Sequence, residues 1–159
     1  MLQITLHPLH LDDAPYYHQL TGNPAVMQYI SGQALSYEDS QQEVARLVNN
    51  FSAQQYGGIW KCLDQKEFIG VGALIPIAKH AADIGFRVVQ SYWKKGYGTA
   101  IAEELINMAK KLELSELIAI VDNANFGSKR IIENLEFEYV GTTPNHAGGM
   151  DLEYKKILS

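Results

Sequence analysis

The chain is predicted to fold as an α+β domain built on a mixed, mostly antiparallel sheet. In its first half, alternating apolar segments are joined by short turns, which is typical of antiparallel hairpins. In its second half, apolar strands alternate with amphipathic helices. Apolar residues make up 47% of the chain and charged residues 19%, a balance typical of a globular protein. No linker, repeat or low-complexity tract divides residues 1–159, so we expect a single domain.

The elements of the first half follow from alternation and from turn residues. Residues 2–6 alternate and predict a strand that Pro8 stops. Asp12 and Asp13 can cap a helix to residue 20, and Ser36 or Asp39 opens a second helix to residue 51. Strands follow at residues 59–63 and 67–75, as a hairpin turning near residues 64–65.

The second half predicts two strand–helix units followed by two strands. A strand at 83–89 leads into a glycine loop and a helix at 99–112, and a continuous apolar run at 117–121 predicts a strand covered on both faces. A helix at 125–135, strands at 137–140 and 150–158, and a hairpin loop at 142–149 complete the chain. The prediction is therefore about six to seven strands flanked by about four helices.

Charge, cysteine content and hydropathy restrict the kind of protein. The net charge of −5 argues against nucleic acid as a partner, because binding a phosphate backbone needs a broad basic surface. The lone cysteine, Cys62, cannot form an internal disulfide, which fits a reducing cytoplasm. We interpret it as a small packing residue. No leader or long apolar run appears, so we expect a cytoplasmic protein without a membrane partner. The five histidines show no metal-ligand spacing, and no metal is expected.

The strand–loop–helix junction around Gly96 and Gly98 is the strongest functional feature. The N–H groups that open a helix have no partners inside it and carry the positive end of the helix dipole, which suits a phosphate. Glycines let an anion approach the backbone closely. Positive side chains add to this, and the candidate cluster is Arg87, Lys94, Lys95, Lys129 and Arg130. The junction predicts a pyrophosphate-bearing ligand.

Four ordered blocks of the chain resemble the GNAT superfamily of N-acyltransferases. Residues 93–98, WKKGYG, resemble its acyl-CoA signature, Arg/Gln-x-x-Gly-x-Gly/Ala, and Trp93 in the first position resembles the RimJ/RimL branch, which acetylates N-termini of ribosomal proteins. Asn125 and Ser128, followed by residues 131–137, resemble that branch's Asn-x-x-Ser helix and its Leu-Gly-Phe ending. Residues 6–14 and 23–27 resemble the branch's opening.

Three positions depart from the family pattern. Glu136 stands where glycine usually precedes the phenylalanine, and His7 replaces a common arginine. Many members carry a tyrosine acid seven residues after the asparagine, but this chain has Ile132 there. Tyrosine is therefore excluded as the acid at that position.

The resemblance implies a GNAT fold, acetyl-CoA as co-substrate and a set of binding residues. Backbone groups of Phe86, Arg87 and Val88 would hold pantetheine, and Asn125 would bond the same arm. The pyrophosphate would lie on Lys94, Lys95, Gly96, Tyr97, Gly98 and Thr99. Ser128 would lie near the sulfur and donate to the departing thiolate. Dimers are common in similar proteins, so a homodimer is one assembly to expect.

Acetyl transfer from a thioester requires a neutral amine, a donor for the tetrahedral oxyanion and departure of the thiolate. We expect the amine to attack directly in a ternary complex. An α-amino group, with a reference pKa near 8, is partly neutral at physiological pH, whereas lysine, near 10.4, is neutral about one time in a thousand. The chain offers Asp83 and Glu43 as candidate bases, acting directly or through water. The acceptor stays open among ribosomal-protein N-termini, polyamines, amino acids and antibiotics.

Two other functions fit parts of the pattern. Glu116 follows Gly96 at about the spacing of a ribose-binding acid, which would suit a dinucleotide oxidoreductase, but Ile101 stands at the third glycine position. A non-catalytic acyl-CoA-binding module is the other alternative, because the chain lacks the tyrosine acid and shows no firm base.

Overall fold

The computed structural model describes residues 2–51, 57–145 and 147–159 and contains one seven-stranded sheet with helices on both faces. The strands are β1 (Ile4–Pro8), β2 (Gly58–Asp64), β3 (Glu67–Ala78), β4 (Ala81–Val88), β5 (Glu116–Asp122), β6 (Glu138–Pro144) and β7 (Met150–Ile157). The helices are α1 (Ala14–Thr21), α2 (Pro24–Met27), α3 (Tyr37–Phe51), α4 (Tyr97–Lys111) and α5 (Phe126–Asn134), with 3₁₀ turns at Leu11–Asp13 and Gln90–Tyr92.

The sheet has the order β1-β2-β3-β4-β5-β7-β6. Its pairs are antiparallel except β4 with β5, which run parallel and are connected by α4. The prediction of a mixed, mostly antiparallel α+β sheet is therefore confirmed.

Each face of the sheet has its own apolar core. Helix α4 buries Ile101, Leu105 and Ala109 against one face, and α5 adds Ile132 to the same cluster. On the opposite face, α1 and α3 pack over the first strands through a second cluster that includes Leu20 and Val44. The helical spacing of these apolar residues, visible in the sequence, is what places α4 and α3 on the sheet.

The two parallel strands at the centre pair over only part of their length. Ala81, Ala82 and Asp83 of β4 pair with Glu116, Leu117 and Ile118 of β5. Beyond these pairs β4 continues beside β3 to Val88, and β5 continues beside β7 to Asp122. Residues 84–88 and 119–122 therefore part from each other, and we call the space between them the β4–β5 gap.

The boundaries of several elements differ from the predictions for local reasons. Strand β1 lies two residues later than expected and includes Pro8, which an edge strand tolerates. Helix α4 begins at Tyr97, two residues before the predicted start, because Gly96 itself forms the cap. Ser36 opens α3, as one of the two predicted starts, and its hydroxyl accepts the Asp39 N–H at 3.1 Å.

Two features of the chain were not predicted. The four-residue helix α2 follows Asn23, whose side chain accepts the Ala25 N–H at 2.9 Å, and this stretch was expected to be only a turn. Strand β6 extends to Pro144, so only the end of the predicted 142–149 loop is a turn. His146, which belongs to that loop and to the histidines considered as metal ligands, lies outside the described residues. Within the described ranges, no helix has the length and apolar character needed to span a bilayer.

Candidate functional site

The backbone of β4 presents polar groups to the β4–β5 gap. Just beyond the strand, the Val89 N–H donates to the Ile69 carbonyl of β3 at 2.9 Å. Because bonded and non-bonded positions alternate along an antiparallel pair, Arg87 also faces β3, whereas Phe86 and Val88 face the gap. The Trp93 indole confirms this direction, since its Nε1–H donates to the Val88 carbonyl at 2.8 Å from outside the β3 pairing. Arg87 therefore does not fit the predicted backbone role toward pantetheine.

Among the residues that the structure describes, none accepts a hydrogen bond from the first N–H groups of α4. Gly96 caps the helix with φ of 89°, a left-handed conformation that glycine adopts without steric cost, and no side chain caps this end. The Ala100 N–H bonds to the Gly96 carbonyl at 3.1 Å, so the N–H groups of Tyr97, Gly98 and Thr99 precede the first intrahelical bond. The predicted anion-binding geometry is present at this helix end.

Aromatic side chains fix the loop that leads into α4. Besides the Trp93 bond to β4, the Tyr97 hydroxyl donates to Asp64 Oδ2 at 2.6 Å, which raises the pKa of Tyr97. The Tyr92 and Tyr97 rings meet edge to face with centroids 5.2 Å apart, and the Lys95 ammonium lies 5.9 Å from the Tyr92 ring centroid. The loop is therefore held in place from both sides, by β4 and by the end of β2.

Gly98 brings three elements together at the mouth of the gap. A Cβ at this position would lie 2.8 Å from Ile131 Cδ1 of α5 and within 4 Å of Phe86 and Val88 of β4. Gly98 thus allows the first turn of α4 to pack between β4 and α5, a reason that the sequence pattern did not indicate. The arrangement places the free N–H groups next to the gap.

The predicted cluster of five cations is divided between the two faces of the sheet. Arg87 points away from α4: its Nη1 donates to the Tyr17 hydroxyl at 3.3 Å and contacts Met27 Sδ at 3.9 Å. Lys94 is exposed in the loop, with φ of 60°, and Lys129 and Arg130 lie on α5. Arg87 is therefore not part of the anion-binding end of α4.

Asn125 and Ser128 form the start of α5, which follows β5. The Asn125 side chain accepts the Ser128 N–H at 3.2 Å and so caps the helix. The Asn125 amide NH₂ and the Ser128 hydroxyl are the polar groups that this turn still offers. Capping was the structural role that the sequence had suggested for Asn125.

Asp83 lies at the last pair before the gap, on the face away from α4 and α5. Its neighbours Ala82 and Ile84 are buried in the α4 core, so strand alternation points Asp83 the other way. Burial raises the pKa of the Asp83 carboxyl to about 6, and the negative charge of Glu153 on β7 adds to the shift. The structure thus separates Asp83 and Ser128, the two predicted catalytic residues, onto different sides of the sheet.

The other candidates have structural partners instead. Glu43 on α3 binds the Arg46 guanidinium with both carboxylate oxygens, at 2.6 and 3.1 Å, so its carboxylate is engaged on its own helix. Glu116 pairs with Lys155 at 3.3 Å and begins β5, at the opposite end of the strand from the gap. In a dinucleotide-binding fold the ribose-binding acid lies at the carboxyl end of a strand, whereas Glu116 lies at the start of β5. The oxidoreductase alternative is therefore wrong. Cys62 is buried, which raises the pKa of its thiol to about 12 and fits the predicted packing role.

Gly85 was missed by the sequence analysis. It is exposed in the middle of β4, and a Cβ there would meet no atom of the described residues within 4 Å. A glycine inside a strand pattern is a known sign of close approach by a ligand or another backbone, and that signal was available in the sequence.

Comparisons with known proteins agree with this geometry. FsC-acetyl coenzyme A-N(2)-transacetylase of Aspergillus fumigatus is 25% identical over 158 residues, which cover 88% of this chain and 67% of the relative. The solved structure of RimL, ribosomal L7/L12 alpha-N-protein acetyltransferase in complex with coenzyme A, has a TM-score of 0.85 at 19% identity and covers 98% of this chain and 94% of its own. Aminoglycoside acetyltransferase AAC(6')-Ib in complex with coenzyme A has a TM-score of 0.81 at 16% identity, with coverages of 98% and 95%.

The two structures are below 25% identity and show the shared fold. The family follows from the sequence itself, because residues 3–138 match the acetyltransferase (GNAT) domain. This match covers most of the chain, which therefore belongs to the GNAT acetyltransferase family.

Proposed function

We propose that this protein transfers an acetyl group from acetyl-CoA to a primary amine, and that residues 1–159 act as one catalytic domain. The observation that carries the proposal is the β4–β5 gap with the uncapped end of α4 at its mouth. A coenzyme with a pyrophosphate at one end and an amide-rich arm at the other matches such a site, because the helix end suits the phosphates and the strand edge suits the amides. The relative and the solved structures named above carry coenzyme A in their names.

In this proposal each end of the coenzyme meets a different backbone segment. The N–H groups of Tyr97, Gly98 and Thr99 bind the pyrophosphate, with Lys94 and Lys95 supplying positive charge. These residues keep the roles that the sequence predicted.

The pantetheine arm lies along β4 in the gap. Phe86 and the N–H of Val88 bond to it, since the Val88 carbonyl already accepts the Trp93 indole. Asn125 offers its amide NH₂ to the same arm from across the gap.

The chemical step needs an acceptor for the amine proton and stabilisation of the departing sulfur. The neutral amine attacks the thioester carbon, the tetrahedral intermediate collapses with cleavage of the C–S bond, and the sulfur leaves as a thiolate that takes up a proton from water. Asp83 accepts the proton released by the amine, directly or through water. With a pKa of about 6, Asp83 is ionised near neutral pH. This pKa is also closer to that of the amine than the pKa of an ordinary aspartate is. Ser128 donates a hydrogen bond to the departing sulfur; its hydroxyl is too weak an acid for more than that.

The acceptor is an amine that is partly neutral at working pH, such as a peptide α-amino group, since Asp83 is a weak base. The names of the solved structures give different acceptors, a ribosomal protein in one and aminoglycosides in another. Membership of the family therefore does not identify the acceptor. A reducing cytoplasm stays the expected compartment, and a homodimer stays one assembly to expect.

Substitution of Gly96 by Ala is expected to weaken coenzyme A binding at least tenfold. Cβ strain at a positive φ costs about 1–2 kcal/mol and shifts the amides that follow. Gly148→Ala is the matched control, because Gly148 has φ of 82° but lies in the β6–β7 turn. Isothermal titration calorimetry with coenzyme A should separate the two variants. Equal affinities for both would contradict the phosphate site.

Asp83→Asn is expected to lower kcat/KM and to remove the inflection near pH 6 from its pH profile. It should also change stability with a defined sign. The folded state holds the Asp83 proton more tightly than the unfolded chain, so the free energy of unfolding of the native protein falls as pH rises from about 4 to 6. The variant should therefore be more stable by about 3 kcal/mol at pH 8 and equal near pH 3. A stability gain without loss of rate would assign Asp83 a structural role only.

Ser128→Ala is expected to lower kcat about tenfold or more, with little change in KM for acetyl-CoA, because a hydrogen bond to a charged group contributes about 1.5–3 kcal/mol. Ser115→Ala serves as the control, since the Ser115 hydroxyl bonds the His80 carbonyl at 3.2 Å beyond the far end of β5. Steady-state release of free thiol measures both. Unchanged turnover in Ser128→Ala would remove this residue from the mechanism.

A further inference from the structure

On the sheet face away from α4, the β4 stretch from Asp83 to Arg87 has Gly85 at its middle, and we call this stretch the groove. No atom of the described residues lies within 4 Å of a Cβ built at Gly85, which pairs with the half-buried Ala73 of β3. Strand alternation puts Asp83 and Arg87 on the same face as Gly85, one on each side of it. Ile120 of β5, 44% exposed, faces this side as well because its neighbours Ala119 and Val121 are buried in the α4 core. The groove is therefore bounded along β4 by an acid at one end and a base at the other.

Arg87 has unused hydrogen-bonding capacity and an uncompensated charge. Its half-buried guanidinium contacts the Tyr17 hydroxyl and the Met27 sulfur, and it lies 6.0 Å from the Tyr17 ring centroid. Among the residues that the structure describes, the ion pairs do not include Arg87. A guanidinium offers five N–H donors, and a charge partly removed from water is stabilised by an anion.

The groups around Arg87 do not neutralise it. Burial raises the pKa of the Tyr17 hydroxyl, which therefore stays uncharged at neutral pH. Glu43 acts on Tyr17 electrostatically, but its carboxylate is bound by Arg46 on the same helix. Since no acidic side chain among the described residues pairs with Arg87, its guanidinium is free to bind an anion brought by a ligand.

We propose that Arg87 determines acceptor specificity by binding a carboxylate of the amine substrate, so that the preferred acceptor is a short acidic peptide lying in the groove over Gly85. This inference rests on the proposed acetyl transfer, with the acceptor amine at Asp83. The charges of the groove run in the matching order, negative where the amine reacts and positive where the carboxylate binds.

The spacing along β4 favours a carboxylate that lies several bonds from the reacting amine. Asp83 and Arg87 are four residues apart on one strand, about 13 Å between Cα atoms at 3.3 Å per residue. The amine and carboxylate of an α-amino acid share one carbon and span less of this separation than those of a peptide with an acidic side chain. An acidic side chain in the first residues of a peptide places its carboxylate several bonds from the terminal amine, as the groove requires.

The test compares two tripeptide amides, alanyl-glutamyl-glycinamide and alanyl-glutaminyl-glycinamide, at saturating acetyl-CoA. They are nearly isosteric and differ in one negative charge. In the wild-type protein, kcat/KM for the glutamyl peptide should exceed that for the glutaminyl peptide about 10- to 100-fold, as for a charge-assisted hydrogen bond in a partly buried site. In Arg87→Gln this ratio should fall to about one, and Arg87→Lys should restore part of it.

The outcomes separate this inference from the proposed function. A wild-type ratio near one, or a ratio that Arg87→Gln leaves unchanged, would overturn the acceptor assignment. So would failure of both peptides in a protein that binds acetyl-CoA and acetylates another amine. Absence of acetyl-CoA binding to the wild type, measured by calorimetry, would instead overturn the proposed function. If Arg87→Gln does not fold, the wild-type ratio and the Arg87→Lys ratio decide.

Discussion

Three residue pairs hold the two halves of the sheet together, and the rest of the site depends on how short that junction is. Ala81, Ala82 and Asp83 pair with the start of β5, after which each strand follows a different neighbour. In a longer junction, the backbone groups of Phe86 and Val88 would form hydrogen bonds with β5, and no space would be left for a ligand arm. The parting of β4 and β5 therefore provides both the binding edge and its position in the fold.

The two faces of the sheet then carry different tasks. On the α4 face, Gly98 lets the helix start pack against β4 and α5, which aims its free N–H groups at the mouth of the gap. On the other face, Asp83 and Arg87 flank an open stretch of β4. Donor and acceptor can thus approach the same strand from opposite sides, which is the geometry that direct attack in a ternary complex needs.

The sequence was sufficient to predict the features that depend on interactions between residues close together in the chain. Helical spacing of apolar residues placed α3, α4 and α5, and the glycine pattern around Gly96 located the free helix end before the fold was known. It was insufficient where partners are distant in the chain. The environment of Asp83 depends on Glu153, and the direction of Arg87 depends on Tyr17, each seventy residues away. No local pattern encodes which face of a strand a neighbouring helix will cover, so Arg87 was grouped with the wrong cations.

The central claim, that one strand edge and one helix end bind a single coenzyme, is tested most directly by titrating ¹⁵N-labelled protein with coenzyme A and following backbone amides by NMR. The account predicts that the largest shifts occur at Phe86, Val88 and the amides of residues 96–99, and that they saturate together. Saturating shifts confined to other amides, with these unchanged, would contradict it.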